Sequence, residues 1–340
     1  MTRMQDIADK LGISKGTVSK ALNGTANISE ELHKNIVETA VEMGYTKKLR
    51  RQKNEEQKLC ILIDNIEYQE PHNFSYDIIL GFRQMAEPAG FTIEIVHATD
   101  KLQKEAPYDV FMLQNNYKGA LVMGFALDAV WMKDFQTSHT PTVFSDNYIM
   151  ANPAMSYVGV DNTEGMNLAV FHLKHLGHRK IGYLSTSLGS YIMQIRHDAF
   201  FHALRQEGLN SDPSLARNSL YLSECMGEHL PALLDAGVSA IICSHDQMAN
   251  AAILQCQQLG YHIPNDISII GFDDLPFCAY TSPPLTTIRQ DRILLGKSAF
   301  YALDSAMNGI SIGTLLLHAQ LIIRKSTSEF RNQHPGILQD

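Results

Sequence analysis

A chain of 340 residues, 45% hydrophobic and 19% charged, has the make-up of a globular protein with room for two or three domains. It lacks the run of about 18 apolar residues that a bilayer span needs, and Met1-Thr2-Arg3-Met4-Gln5-Asp6 is no apolar leader, so a cytoplasmic protein without a membrane partner is expected. Net charge is −8, yet residues 1–58 hold 11 Lys and Arg against 8 Asp and Glu, while the remainder holds 17 against 28; a basic end on an acidic body suits a nucleic-acid reader whose bulk is repelled by phosphate.

The first segment reads as three short helices. Thr2 with Gln5 forms a capping-box pattern, followed by Met4, Ile7, Ala8 and Leu11 on one face. Gly12-Ile13-Ser14 breaks that helix, Ser14 caps a second with Val18, Ala21 and Leu22 on its inner stripe, and Asn23-Gly24 ends it. Ser29 caps a third, with Leu32, Ile36, Val37, Ala40 and Met43 inward and Gly44 placed as its C-terminal cap. Residues 46–58, with Lys47, Lys48, Arg50, Arg51 and Lys53 in their first half, offer little to bury and read as a basic linker.

From Leu59 short apolar runs alternate with amphipathic ones. Strands are expected at 59–63, 92–97, 119–123, 142–145, 157–160, 180–184, 240–243 and 267–272, and helices at 76–89, 164–176, 192–207, 247–259 and 292–307. Repeated strand-helix-strand order predicts parallel sheets covered by helices, in two lobes. Cys60, Cys225, Cys243, Cys256 and Cys278 are scattered and never spaced as Cys-x-x-Cys, which fits buried thiols rather than disulfides or zinc.

A helix laid in the major groove shows base edges the residues opposite its buried stripe. On the second helix these are Lys15, Gly16, Ser19 and Lys20. Lys20 can donate to guanine O6 and N7, while Ser14, Thr17, Ser19 and Asn23 can bond phosphate oxygens. The stretches Asp6-Ile7-Ala8, Leu11-Gly12-Ile13-Ser14, Thr17-Val18-Ser19-Lys20-Ala21-Leu22-Asn23 and Met43-Gly44-Tyr45 resemble the headpiece of the lactose/galactose repressor family (LacI/GalR). The resemblance implies that the second helix enters the major groove and that Lys20 stands where relatives often carry a base-contacting arginine. Such proteins commonly continue with a Pro-Asn start and a hinge helix whose leucine wedges into the minor groove. Here Thr46-Lys47-Lys48-Leu49-Arg50 follows Tyr45, and Asn54 falls near the leucine's place. The run is therefore read either as a set of phosphate contacts, Lys47 and Lys48 first, or as a solvated linker.

The body resembles the same family over residues 59–329, through Val158-Gly159-Val160-Asp161-Asn162, His175-Leu176-Gly177-His178-Arg179-Lys180-Ile181, Ile263-Pro264-Asn265-Asp266-Ile267-Ser268, Gly271-Phe272-Asp273-Asp274 and Pro284-Leu285-Thr286-Thr287-Ile288-Arg289-Gln290-Asp291. It implies a small all-α helix-turn-helix headpiece on a two-lobed, periplasmic-binding-protein-like (type I) parallel α/β body that holds a ligand between its lobes. The division expected is 1–45 headpiece, 46–58 hinge, 59–330 effector and dimerisation domain, and 331–340 tail. Sugar hydroxyls call for forked polar partners and an aromatic wall, beyond the C-terminal strand ends. The resemblance implies Arg196 and Asp273 for ligand, with Asp274 structural. His245 stands where relatives often carry Asn or Asp and shifts the expected binding toward pH sensitivity. Phe74 and Tyr76 are either a stacking wall or core aromatics; Asn147 and Gln290 complete the effector set. His172, His175 and His178 read as packing and turn residues, and no metal or cofactor is expected.

The function so implied is a sequence-specific DNA-binding regulator, a repressor of a carbohydrate-utilisation operon. It would be a homodimer on a pseudo-palindromic double-stranded operator, controlled by a sugar-like effector. The alternatives are a catabolite-control-type regulator answering to a phosphorylated partner protein, or one responsive to a nucleoside or nucleobase. Gly-x-Ser-x-Gly spacing occurs at Gly12-Ile13-Ser14-Lys15-Gly16 and at Gly309-Ile310-Ser311-Ile312-Gly313, but neither follows an expected strand as a nucleophile elbow must, and no Walker sequence occurs, so no enzyme is expected.

Overall fold

The computed structural model describes residues 2–22, 28–45 and 57–330. The amphipathic N-terminal pattern folds as α1 (Met4–Leu11), α2 (Lys15–Leu22) and α3 (Glu30–Glu42), whose inner faces bury Ile7, Ala8, Val18, Leu22, Ile36, Val37 and Ala40. Two of the expected caps are present: the Thr17 amide donates to Ser14 Oγ at 3.0 Å and the Leu32 amide to Ser29 Oγ at 3.3 Å. The first differs. Arg3, not Thr2, caps α1, with its amide held by Asp6 Oδ2 at 2.7 Å. The Thr2 hydroxyl donates instead to the Met43 carbonyl at the far end of α3, a contact across 41 residues that local spacing does not encode. Asn23-Gly24 and the basic run after Tyr45 lie outside the described residues.

The body carries strands β1 (Gln57–Ile63), β2 (Phe91–His97), β3 (Tyr117–Met123), β4 (Thr142–Phe144), β5 (Met155–Val160) and β6 (Ile181–Thr186). Then come β7 (Ala216–Ser219), β8 (Ala240–Cys243), β9 (Ser268–Asp273), β10 (Thr286–Arg289), β11 (Thr314–Leu317) and β12 (Gln320–Ile322). The helices are α4 (Phe74–Ala86), α5 (Asp100–Glu105), α6 (Tyr108–Gln114), α7 (Asn162–His175) and α8 (Tyr191–Gln206). They are followed by α9 (Leu222–Glu224), α10 (Leu230–Asp235), α11 (Asp246–Gln258) and α12 (Arg292–Met307).

One six-stranded sheet has the order β11-β5-β4-β3-β1-β2 and the other β12-β10-β9-β8-β6-β7. The pairings of β1 with β2 and β3, and of β6 with β7 and β8, are parallel, whereas β12 joins β10 antiparallel. The inner strands β3, β5, β8 and β9 are buried at every residue rather than at alternate ones, as in sheets covered on both faces. The chain divides into two compact units: Met1–Gln69 with Ser75–Gly159 and Arg292–Leu315, and Glu70–Phe74 with Val160–Asp291 and Leu316–Asp340.

Within the first unit α4 and α12 touch backbone to backbone. A Cβ on Gly81 would lie 2.1 Å from the Ile293 carbonyl oxygen, and one on Gly296 2.0 Å from that of Ile78. Arg292 opens α12 with a forked bond to Asp77 Oδ2 on α4, Nε at 3.2 Å and Nη2 at 2.9 Å. All five cysteines are buried free thiols, and four of them, Cys225, Cys243, Cys256 and Cys278, share one apolar cluster of the second unit. No described helix is long and apolar enough to cross a membrane.

Candidate functional site

In the headpiece, α2 buries Val18, Ala21 and Leu22 and leaves Ser14, Lys15, Gly16 and Lys20 exposed, with Thr17 and Ser19 half-buried. The sequence-predicted surface is thus presented on one helix of eight residues. Ser14 Oγ also lies 2.9 Å from Thr17 Oγ1, so the cap and its neighbour stiffen the first turn. Asn23, Lys47 and Lys48 lie outside the described residues.

The second unit assembles a polar cluster where its parallel strands end, the place at which open α/β sheets hold ligands. Ser190 caps α8 by accepting the Met193 amide at 3.4 Å. One turn further Arg196 is carried inward and is only 4% exposed. Its Nε donates to Asn162 Oδ1 at 2.8 Å, its Nη1 to the Ser244 carbonyl at 2.6 Å, and its Nη2 lies 3.6 Å from Asp273 Oδ1. The guanidinium stacks over Phe272, 3.7 Å from the ring centroid, a cation–π seat. These anchors fix the plane of the fork and still leave N–H groups for a ligand.

Asp273 ends β9 at φ 120°, and Asp274 follows at φ 55°. Two consecutive non-glycine residues in this region are strained, which the surrounding bonds must hold in place. Gln290 Nε2 donates to Asp273 Oδ1 at 2.6 Å, while Asp274 is engaged by Arg289 Nε at 2.6 Å and Arg324 Nη2 at 2.7 Å. Arg196, Asp273 and Gln290 are therefore brought together, and Asp274 braces the turn beside them.

His245 caps α11, its Nδ1 accepting the Met248 amide at 3.2 Å. The same Nδ1 lies 3.1 Å from Gln247 Oε1. Burial, then the Arg196 charge, push the imidazole down to about 4. The pH sensitivity expected of this histidine therefore does not fall in the neutral range. Asp246 accepts from Thr287 Oγ1 at 2.6 Å and the Leu275 amide at 2.8 Å. Burial first, then the Asp273 carboxylate, raise its pKa.

Phe74 is half-buried against the apolar cluster of the second unit, the core-aromatic reading, whereas Tyr76 is half-buried on α4 of the first. In the first unit Asn147 is wholly enclosed, and its amide donates to the Phe125 carbonyl. Its neighbour Asp146 is the more reactive group. Oδ2 accepts the Gly124 amide, Oδ1 is buried without a partner, and burial raises the carboxyl to about 7. Sequence reasoning missed Asp146 in favour of the residue beside it. It missed too Asn162, Ser244 (whose buried hydroxyl has no partner) and Phe272. Asn162 and Phe272 lay in the stretches that carried the family resemblance, and their place at strand ends was the available signal.

His172, His175 and His178 are held apart by separate partners: Thr327 Oγ1 at 3.1 Å, the Phe171 carbonyl at 2.9 Å, and Ser239 Oγ at 2.9 Å. Among the described residues no cluster of three His, Cys, Asp or Glu could hold a metal ion.

Residues 3–48 match the family described as "Bacterial regulatory proteins, lacI family", and residues 170–327 match "Periplasmic binding protein-like domain". The HTH-type transcriptional repressor CytR of Escherichia coli (strain K12) is 28% identical over 331 residues, 95% of this chain and 96% of that protein. The HTH-type transcriptional regulator MalR of Streptomyces coelicolor is 27% identical over 339 residues, 96% and 97% of the two chains. Among solved structures, the transcriptional regulator CelR in complex with cellobiose superposes at TM-score 0.69 with 22% identity, covering 96% of this chain and 100% of that one. The lac repressor dimer bound to operator and the anti-inducer ONPF superposes at 0.67, also with 22% identity, over 96% and 99%. A regulator of the same kind from Enterococcus faecium with bound ribose gives 0.67 at 19% identity, over 81% and 100%. These structural likenesses are of fold.

Proposed function

Because the chain belongs to the lacI family of bacterial regulatory proteins, we propose that it is a DNA-binding repressor of a carbohydrate-utilisation operon, released by a small sugar-like effector. Two copies place one headpiece on each half of a pseudo-palindromic operator. Lys15, Gly16 and Lys20 face the base edges, and Ser14, Thr17, Ser19, Asn23, Lys47 and Lys48 hold the phosphates. The effector is held in the second unit by Arg196, Asp273, Gln290 and His245.

The observation that carries this reading is a forked, stacked and buried Arg196 beside Asp273, in a chain that also presents a polar helix-turn-helix surface. A guanidinium fixed in plane beside a carboxylate offers donors and acceptors to vicinal hydroxyls, and two fold neighbours hold sugars, cellobiose and ribose. A sugar acts on DNA binding only through a difference in its affinity for two arrangements of the protein.

Fluorescence polarisation on duplexes selected from a random pool tests the reading. The dimer is expected to prefer one duplex family, and a sugar from a thermal-shift screen, stabilising by about 2.7 kcal/mol at 100 times its Kd, is expected to release it. Lys20→Ala loses discrimination between selected and random duplexes. Lys48→Ala weakens both alike and lowers the salt slope by about 1. A dimer that at low salt favours no duplex, with or without sugars, ends the proposal.

A further inference from the structure

The sequence of α6, Tyr108-Asp109-Val110-Phe111-Met112-Leu113-Gln114, is apolar on more than one side, which in a helix on a lobe's flank calls for two partners rather than one. The inner partner is the core of the first unit. There Tyr108, Phe111 and Met112 join the cluster of Trp131, Phe135 and Phe144, and the Tyr108 amide donates to Asp134 Oδ2 at 2.8 Å. The outer partner is the headpiece. Leu113, 7% exposed, is part of the headpiece's own apolar cluster with Ile36, Val37 and Ala40, and Val110 packs at its margin with Val41, Met43 and Tyr45.

A second contact lies beside it. Gly44, at φ 63°, ends α3 so close to His139 that a Cβ there would sit 3.0 Å from its Nε2. His139 is itself fixed, because Asp109 on α6 accepts its amide at 3.0 Å and the Thr140 hydroxyl at 2.7 Å. A polar groove of about 960 Å³ flanks the seat, with Lys20, His33, Lys34 and Glu38 on one wall and Glu105 and Gln114 on the other. Lys15, Gly16 and, at the groove's rim, Lys20 remain exposed, so the seat leaves the reading face open to DNA.

We propose that Val110, Leu113 and His139 form a docking seat that holds the headpiece on the first unit as one body, before DNA is bound as well as on it. The seat fixes where the reading helix points. The operator part of the inference rests on the function proposed above; the docking part does not. A seated headpiece meets DNA already oriented, and releasing it weakens operator binding about tenfold through lost preorganisation.

The test is time-resolved anisotropy of the full-length protein. The five native cysteines are buried, so a single dye on Asp9→Cys, an exposed headpiece position, reports headpiece tumbling. In the otherwise unaltered chain the dye is expected to turn at the slow rate of the whole molecule. Leu113→Asp and the milder Val110→Asp are each expected to add a nanosecond component and to weaken operator binding, with Trp131 emission unchanged as the check that the unit is folded. A nanosecond headpiece component in the unaltered chain overturns the proposal even if neither variant folds, and so does a folded variant with unaltered anisotropy and operator affinity. A slow headpiece loosened by the variants, in a protein that prefers no duplex, upholds the seat and removes the regulator reading alone.

Discussion

Arg196 holds Asn162 and the Ser244 carbonyl in one plane while its guanidinium lies over Phe272, so truncation would remove a brace of the cluster as well as the proposed ligand group. Arg196 and Asp273 were both legible in the sequence through the family resemblance, and the fold brings them to within 3.6 Å of each other. Asp146 was not, since what distinguishes it from Asn147 is which of the two keeps an oxygen without a donor, a matter of how closely Gly124 approaches. Its carboxyl titrates at 3.8 when free and at about 7 in the fold. Between those values the native state keeps a proton that the unfolded chain has lost, so this group's contribution to stability falls as pH rises and is level above about 7. Asp146→Asn is neutral throughout and is expected to flatten the decline in Tm between about pH 4 and about pH 7; a variant whose Tm falls as steeply as the unaltered protein's would refute the assignment. His245 has the opposite sign in a lower window: neutral in the fold to about 4 and normally 6.5, it withdraws stability as pH falls from 6.5 toward 4.

The long helices and most strands were visible in the sequence because burial on one or both faces writes a period or an apolar run. α7, α8 and α11 begin within two residues of expectation, their ends fixed by Asp161, Ser190 and His245 as caps. The elements not foreseen, α5, α6, α9, α10, β7, β10, β11 and β12, span three to seven residues, too few for a period to declare itself. Gly296 shows the limit from another side. In sequence it is a weak point inside a helix; in the fold it is where α12 meets the Ile78 carbonyl of α4. A methyl group there must push backbone against backbone, so Gly296→Ala is expected to lower stability by about 3 kcal/mol, at the upper end for an overpacked core. Urea unfolding measures it, and a loss of less than about 0.5 kcal/mol would contradict so close a crossing.

Each compact unit has its own sheet and its own apolar clusters, so each can unfold as a cooperative block. The chain's one tryptophan, Trp131, is fully buried in the first unit with Nε1 donating to the Ala106 carbonyl at 2.9 Å. Its emission follows that unit, whereas far-ultraviolet circular dichroism follows both. Gly296→Ala is therefore expected to move the emission midpoint to lower urea and to leave a later dichroism phase behind; coincident midpoints in the variant would show that the units unfold together. The same division governs how the molecule is born. The first unit lacks Arg292–Leu315 until nearly the whole message has been read, so its sheet, short of the edge strand β11, waits on the ribosome while residues 160–291 emerge, on the order of ten seconds at ordinary bacterial speed. A ribosome that stalls in that interval releases a chain with one sheet edge and the α12 face of its core uncovered, a client for chaperones and proteases rather than a shortened regulator.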